Sequence, residues 1–252
     1  MTRRGARIET LKDIIRMVAP ASVLQKTTLP LRRAYGHYQQ RHKQDFVFIH
    51  INKCGGTSVE RALGIHFVNH DTTAERFDVL GADRWQNRYK MTVVRNPYDR
   101  VGSMYLYRHR ANALDIAAAR QGLAEYLDMI ADIHAQGAAA RAQKTTAPRK
   151  FLWTQADWMR LADGRIGLDA AYHLETLDAR WADLRKHIPA AAPLEHLKKV
   201  TKPYSARDIY TPRTIARVAE IFAEDFTVFG YDFAFDHPKA PTVDSPVTFQ
   251  TS

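Results

Sequence analysis

Cysteine is nearly absent from the 252-residue chain, with Cys54 as its single instance. An internal disulfide is therefore impossible, and the fold does not depend on an oxidising compartment. Long apolar runs are missing as well. None approaches the roughly 20 residues needed to cross a bilayer, and the opening stretch MTRRGARIETLKDIIRMVAPASVL is broken by Glu9, Lys12, Asp13 and Arg16 where a signal peptide needs an apolar core. A soluble, cytoplasmic protein is the expectation. Acidic residues are in short supply, 27 against 37 lysines and arginines, for a formal net charge of +10. An anionic partner follows: a nucleotide, an acidic glycan, a nucleic acid or a membrane surface. Internal repeats are absent too.

What is present is an ordinary globular balance, 45% hydrophobic and 25% charged, favouring one domain. In FVFIHI, residues 46–51, both alternating faces are apolar apart from His50, which predicts a parallel strand covered on both sides and set centrally in its sheet. KMTVV (90–94) and AAYHL (170–174) read as further strands. Helical patterns separate and follow them: 57–64, 73–82 ended by Gly81, a helix capped by Asn96 with Pro97 in its first turn, one around GLAEYLDMIADIHA, ETLDARWADLRKHI, and a last helix, TPRTIARVAEIFAEDF, capped by Thr211. An amphipathic helix over 8–18 and a basic, aromatic segment, LRRAYGHYQQRHK, precede the first strand. RAQKTTAPRK reads as a mobile loop. The fold class is thus α/β: a P-loop-like three-layer domain with a central, mainly parallel sheet flanked by helices. It is expected to span 46–235, after a helical extension over 1–45 and before a flexible or surface-draped tail over 236–252, rich in Pro, Thr and Ser.

Parallel strands present their carboxyl ends at one edge, where open α/β sheets bind ligands. The loop NKCGGTS after the first strand and the turn RNP after the second both leave such ends. In the loop, Gly55 and Gly56 let backbone approach an anion, Thr57 and Ser58 add hydroxyl donors, and Lys53 supplies a mobile charge. Its spacing is not the G-x-x-x-x-G-K-[ST] of nucleotide triphosphatases. At the second tip Arg95 can grip a phosphate bidentately, and Ser103 follows about two helical turns after Asn96. A ligand with two separated phosphates fits these two stations.

FIHINKCGGTS resembles the 5′-phosphosulfate-binding loop, and MTVVRNPYDRVGSMY the 3′-phosphate-binding strand and helix, of sulfotransferases that use 3′-phosphoadenosine 5′-phosphosulfate (PAPS). The segments HDTTAERFDVLGADRWQNRYK, TQADWMRLADGRIGLDAAYHLETL and RDIYTPRTIARVAEIFAEDFTVFGYDF are similar to the same family, so the resemblance runs over about 46–235. It is nearest to the branch that sulfates carbohydrates, soluble in bacteria. One departure stands in the loop: Asn52 occupies a position where family members commonly carry proline.

The resemblance implies a donor, PAPS, released as adenosine 3′,5′-bisphosphate, and an acceptor hydroxyl, on a glycan or glycolipid. It implies that Lys53 meets the leaving phosphate within a loop of Cys54, Gly55, Gly56, Thr57 and Ser58, that Arg95 and Ser103 hold the 3′-phosphate, and that Lys202 or Arg207 contributes from a late basic loop. The alternative for Arg95 is a salt bridge to Asp99. His70 is the first candidate for the general base and His50 the second, the latter weighed against a core histidine; His66 and Glu75 trail. Cys54 is a bystander rather than a nucleophile, Glu175 matches a family position of unclear purpose, and no metal is expected: His66, His70 and Asp71 lack a completing ligand. Two rival functions lack their signatures. A P-loop-type small-molecule kinase would need Gly-Lys-[Ser/Thr] and an acidic strand end, and a basic nucleic-acid-binding protein would need a recognisable module; neither is present.

Overall fold

Successive side chains of a strand point to opposite faces, and β1 (Phe46–Ile49) shows both faces covered. Val47 and Ile49 enter one core and Phe46 and Phe48 another. The computed structural model describes residues 31, 34–65, 70–109, 115–135, 150–195, 205–236 and 241–250. The helix expected over 8–18 and nearly all of RAQKTTAPRK lie outside these. The chain continues through α1 (Gly56–Ala62), α2 (Thr73–Leu80), α3 (Ala82–Gln86), β2 (Tyr89–Val94), α4 (Pro97–Arg108), α5 (Ile116–Ala135), α6 (Gln155–Met159), β3 (Ala170–His173), α7 (Leu177–His187), α8 (Pro212–Ile221), α9 (Ala223–Phe229) and β4 (Val247–Thr248).

The sheet has the order β1-β2-β3-β4, with the first three strands parallel and β4 antiparallel to β3. Register pairs Ile49 with Thr92 and Val94 with His173, so three carboxyl ends finish near one level. On one face Val59 and Ala62 of α1, Leu63 just after it, and Leu177, Trp181 and Leu184 of α7 cover Phe48, Met91, Val93 and Tyr172. The other face carries the larger core, filled from α4, α5, α6, α8 and α9 by residues such as Tyr98, Leu127, Trp158, Val218 and Phe226. A sheet between two helical layers is the arrangement expected from sequence.

Local signals fix the helix starts. Thr72 and Glu75 close a capping box on α2, the Asn96 side chain accepts from Tyr98 N–H ahead of Pro97, Thr154 caps α6, and Thr211 caps α8 with Pro212 behind it.

Three expectations need correction. Among the described residues β1 is an edge strand of the four-stranded sheet, not a central one: apolar residues on both alternating faces report helical layers above and below, which an edge strand shares with its neighbours. The last helix is two, because Phe222 leaves helical geometry at φ −108°, ψ 23° and turns its ring into the core. The tail adds an element of its own. Val247 and Thr248 pair with Ala171 and Ala170, the Thr242 N–H and Oγ1 both donate to the Gly230 carbonyl, and His173 N–H donates to Ser245 Oγ. A two-residue strand is too short to leave a periodic signature.

Candidate active site

Where β1 ends, the chain turns through two left-handed residues, Lys53 at φ 66° and Gly55 at φ 75°. For lysine that conformation is strained, and such strain persists only where surroundings over-determine it. The determinants are side chains behind the loop. Arg100, fully buried on α4, donates to the Asn52 carbonyl (3.3 Å), to Asn52 Oδ1 (2.9 Å) and to the Trp153 carbonyl (2.9 Å), while Asn52 Nδ2 donates to the Phe151 carbonyl (3.2 Å). The asparagine thus holds the loop by hydrogen bonds at the family's usual proline position. Both glycines are required by contact. A Cβ on Gly55 would lie 2.5 Å from Leu174 Cδ1, and one on Gly56 would lie 2.2 Å from Nε2 and Cδ2 of His50. No side chain caps α1; Ser58 N–H donates to the Gly55 carbonyl at 3.1 Å, Thr57 is exposed and Ser58 half-buried.

The tip of β2 touches this loop directly: Arg95 Nη1 donates to the Lys53 carbonyl at 3.3 Å. Arg95 itself is fixed at its main chain. Its N–H donates to Gln155 Oε1 (2.8 Å) and its carbonyl accepts from Gln155 Nε2 (2.9 Å), and Gln155 is anchored by Asp225, whose carboxylate accepts from the Gln155 and Ala156 N–H groups. Burial pushes Asp225 up to about 6. One residue on, Asn96 N–H donates to Glu175 Oε1 (2.8 Å), whose other oxygen accepts from Tyr231 OH. Burial raises the Glu175 pKa against these two bonds. The purpose of Glu175 is therefore to set the second tip.

Lys53 Nζ stands 4.2 Å from the centre of the exposed Tyr107 ring on α4. Ser103 is one turn before Tyr107, so both lie on one helix face and the lysine leans over the face that carries the serine. Ser103 is half-buried. Asp99 takes Arg207 as its partner, at 3.1 Å, and Arg207 also donates to the Phe235 carbonyl and lies against the Phe235 ring. Arg207 thus braces the start of α4. Lys202 and His66 fall outside the described residues. Cys54 is buried and donates toward Gln155 Oε1 at 3.2 Å; desolvation pushes its thiol up to about 12, so it stays protonated and unreactive.

Beside the loop, His50 and His70 approach to 4.4 Å between ring centres, and Phe151 closes over His70 edge-on. His50 Nδ1 meets Glu60 Oε1 at 2.7 Å, a bond in which both partners are buried. His70 Nδ1 meets the His50 carbonyl at 3.3 Å. A carbonyl only accepts, so His70 carries its proton on Nδ1 and its lone pair on Nε2. Burial first, and then the neighbouring His50, push His70 down to about 4, so the imidazole is neutral at physiological pH. Glu75 is occupied by Lys150 at 2.7 Å and by the Thr72 N–H. The adjacent Asp71 holds His37 (3.0 Å) and Arg76 (3.4 Å). Among the described residues no group of three metal-ligating side chains converges. Glu60, Arg100, Gln155 and Asp225 were not singled out from sequence. Glu60 and Arg100 are charged residues within otherwise apolar helix faces, and that was the available signal.

A family model described as the sulfotransferase family matches residues 36–232, most of the chain. The protein is a member of that family, and the class the family implies is a transferase of sulfuryl groups. The curated proteins give no match, and the solved structures give none either. No helix among the described residues is long and apolar enough to cross a membrane.

Proposed function

We propose that the protein moves the sulfuryl group of PAPS to a hydroxyl of a carbohydrate or glycoconjugate, releasing adenosine 3′,5′-bisphosphate. The observation that carries this reading is the contact between the two strand tips, Arg95 Nη1 to the Lys53 carbonyl. It sets a guanidinium beside a loop suited to an anion, so one ligand carrying two phosphates could address both tips. Lys53, with Gly55, Gly56, Thr57, Ser58 and the main chain of Cys54, meets the 5′-phosphate on which charge develops as its bond to sulfur breaks. Arg95 and Ser103 take the 3′-phosphate, with Lys202 as a further contributor and Arg207 acting through α4. One of the two histidines beside the loop, His70 or His50, receives the acceptor proton.

In-line transfer demands that acceptor oxygen, sulfur and leaving oxygen align. A loop clamped by Arg100 on one side and a tip clamped by Gln155 and Glu175 on the other supply fixed walls for that alignment. A glycan acceptor is supported by the branch the motifs resemble, and a cytoplasmic setting by the lone, buried thiol. The test is thermal stabilisation by adenosine 3′,5′-bisphosphate with ATP and magnesium as control. The reading expects a shift with the bisphosphate of at least several degrees at a concentration 100 times its Kd; a shift with ATP and magnesium alone would point to a kinase instead.

A further inference from the structure

The two imidazoles at the end of β1 differ in what stands behind them. His70 is backed by a main-chain carbonyl, which fixes its tautomer and adds little to its basicity. His50 is backed by the carboxylate of Glu60, 4% exposed, at 2.7 Å. A carboxylate on Nδ1–H holds an imidazole in the tautomer whose Nε2 lone pair is available and stabilises the imidazolium formed when that nitrogen takes a proton. The Nε2 edge of His50 lies directly over Gly56, at the inner end of the phosphate-loop candidate. Glu60 and Gly56 are one helical turn apart on α1, so a single helix presents both the carboxylate behind the ring and the glycine that makes room for its front.

Resting on the transfer reading above, we propose that His50 is the general base and that Glu60 is its positioning residue. In the step, the acceptor hydroxyl gives its proton to His50 Nε2 as its oxygen bonds to sulfur. The bond from sulfur to the bridging oxygen of the 5′-phosphate breaks, and its electron pair leaves on adenosine 3′,5′-bisphosphate. Glu60 meets the new positive charge across Nδ1–H. His70, kept neutral by burial that depresses its basicity, flanks the acceptor and anchors the His50 main chain.

The test compares Glu60→Gln, His50→Gln and His70→Gln in the full chain. Binding of adenosine 3′,5′-bisphosphate is measured by calorimetry, and turnover as release of that nucleotide from PAPS with water as acceptor. Glu60→Gln is expected to bind the nucleotide within about twofold of the parent while turnover falls about 100-fold. His50→Gln should lose at least as much and His70→Gln less than about tenfold. The pH profile of turnover adds a readout that a mere brace between β1 and α1 would not move, its acid limb shifting to lower pH in Glu60→Gln. The 15N spectrum of histidine-labelled protein reports the tautomer. The signal absent from His50→Gln should report a protonated Nδ1 and an unprotonated Nε2, and Glu60→Gln should redistribute it. Should Glu60→Gln fail to fold, the parent spectrum decides alone, and a proton on Nε2 of His50 overturns the assignment. Undiminished turnover by Glu60→Gln with nucleotide still bound overturns the assignment and leaves the donor reading standing. Failure of the parent to bind the bisphosphate overturns both.

Discussion

The loop after β1 and the histidine group beside it are neighbours built on opposite plans. The loop is main chain, shaped by two left-handed residues and two glycines with no room for a Cβ, and held from behind by Arg100 and Asn52. The histidine group is mainly side chain, drawn from residues 50, 60, 70 and 151 and tied by a carboxylate, one main-chain carbonyl and ring contacts. A main-chain cradle suits a ligand recognised by charge and shape, which every donor molecule shares. A side-chain group suits the acceptor end, where a proton moves and substrates differ. The difference teaches that donor binding and proton transfer can be perturbed separately here, and each variant below is chosen to break one side alone.

The largest effect is expected on the loop. Lys53→Ala should lower transfer about 100-fold to 1,000-fold, the usual cost of removing one preorganised charge-stabilising donor, while the melting temperature stays near the parent's. Full activity in a folded Lys53→Ala protein would remove the lysine from the mechanism. Arg100→Ala comes next and works through the brace. It removes a fully buried guanidinium and strips donors from the carbonyls of Asn52 and Trp153, so we expect a loss of about 3 kcal/mol in stability by denaturant titration together with weakened nucleotide binding. Weakened binding at unchanged stability would show that Arg100 contacts the ligand rather than the loop.

A smaller effect, of defined sign, belongs to the histidine side. His70 folds with its pKa lowered from 6.5 to about 4. Between those values the unfolded chain binds a proton that the folded one refuses, so stability from this group is present above 6.5 and is lost as pH falls toward 4. His70→Gln should therefore gain melting temperature relative to the parent at pH 5 and show no such gain at pH 7.5. Asp225, raised from 3.8 to about 6, runs the other way across 3.8–6, since there the folded state holds the extra proton and stability falls as pH rises. Only the difference between His70→Gln and its parent isolates the histidine.

How much of this was legible in the sequence follows the same division. The strands at 46, 90 and 170, the caps at Asn96 and Thr211 and the stop at Gly81 were legible because each is set by residues a few positions apart. The loop and Arg95 were legible for the same reason: glycines, lysine, hydroxyls and strand end are contiguous. The position of β1 in the sheet was not, because coverage of both faces says nothing about neighbours along the hydrogen-bonding direction. Nor was Phe222 as a helix break, since its hydrophobic period continues through the turn. The pairing of His50 with Glu60 and the Gln155 clamp on Arg95 bridge 10 and 60 residues and depend on the packed layers. Asn52 is legible in sequence only as a departure from the family's usual proline; its role as the residue the loop hangs on depends on Arg100, 48 residues away.

The account rests on one ligand spanning the two strand tips, and the phosphate preference of Arg95→Ala tests it most directly. Calorimetry with adenosine 3′,5′-bisphosphate and with adenosine 5′-phosphate should show the parent strongly favouring the bisphosphate and the variant losing about tenfold or more of that preference, the worth of a charge-assisted bidentate bond. A preference that survives Arg95→Ala unchanged would contradict the account.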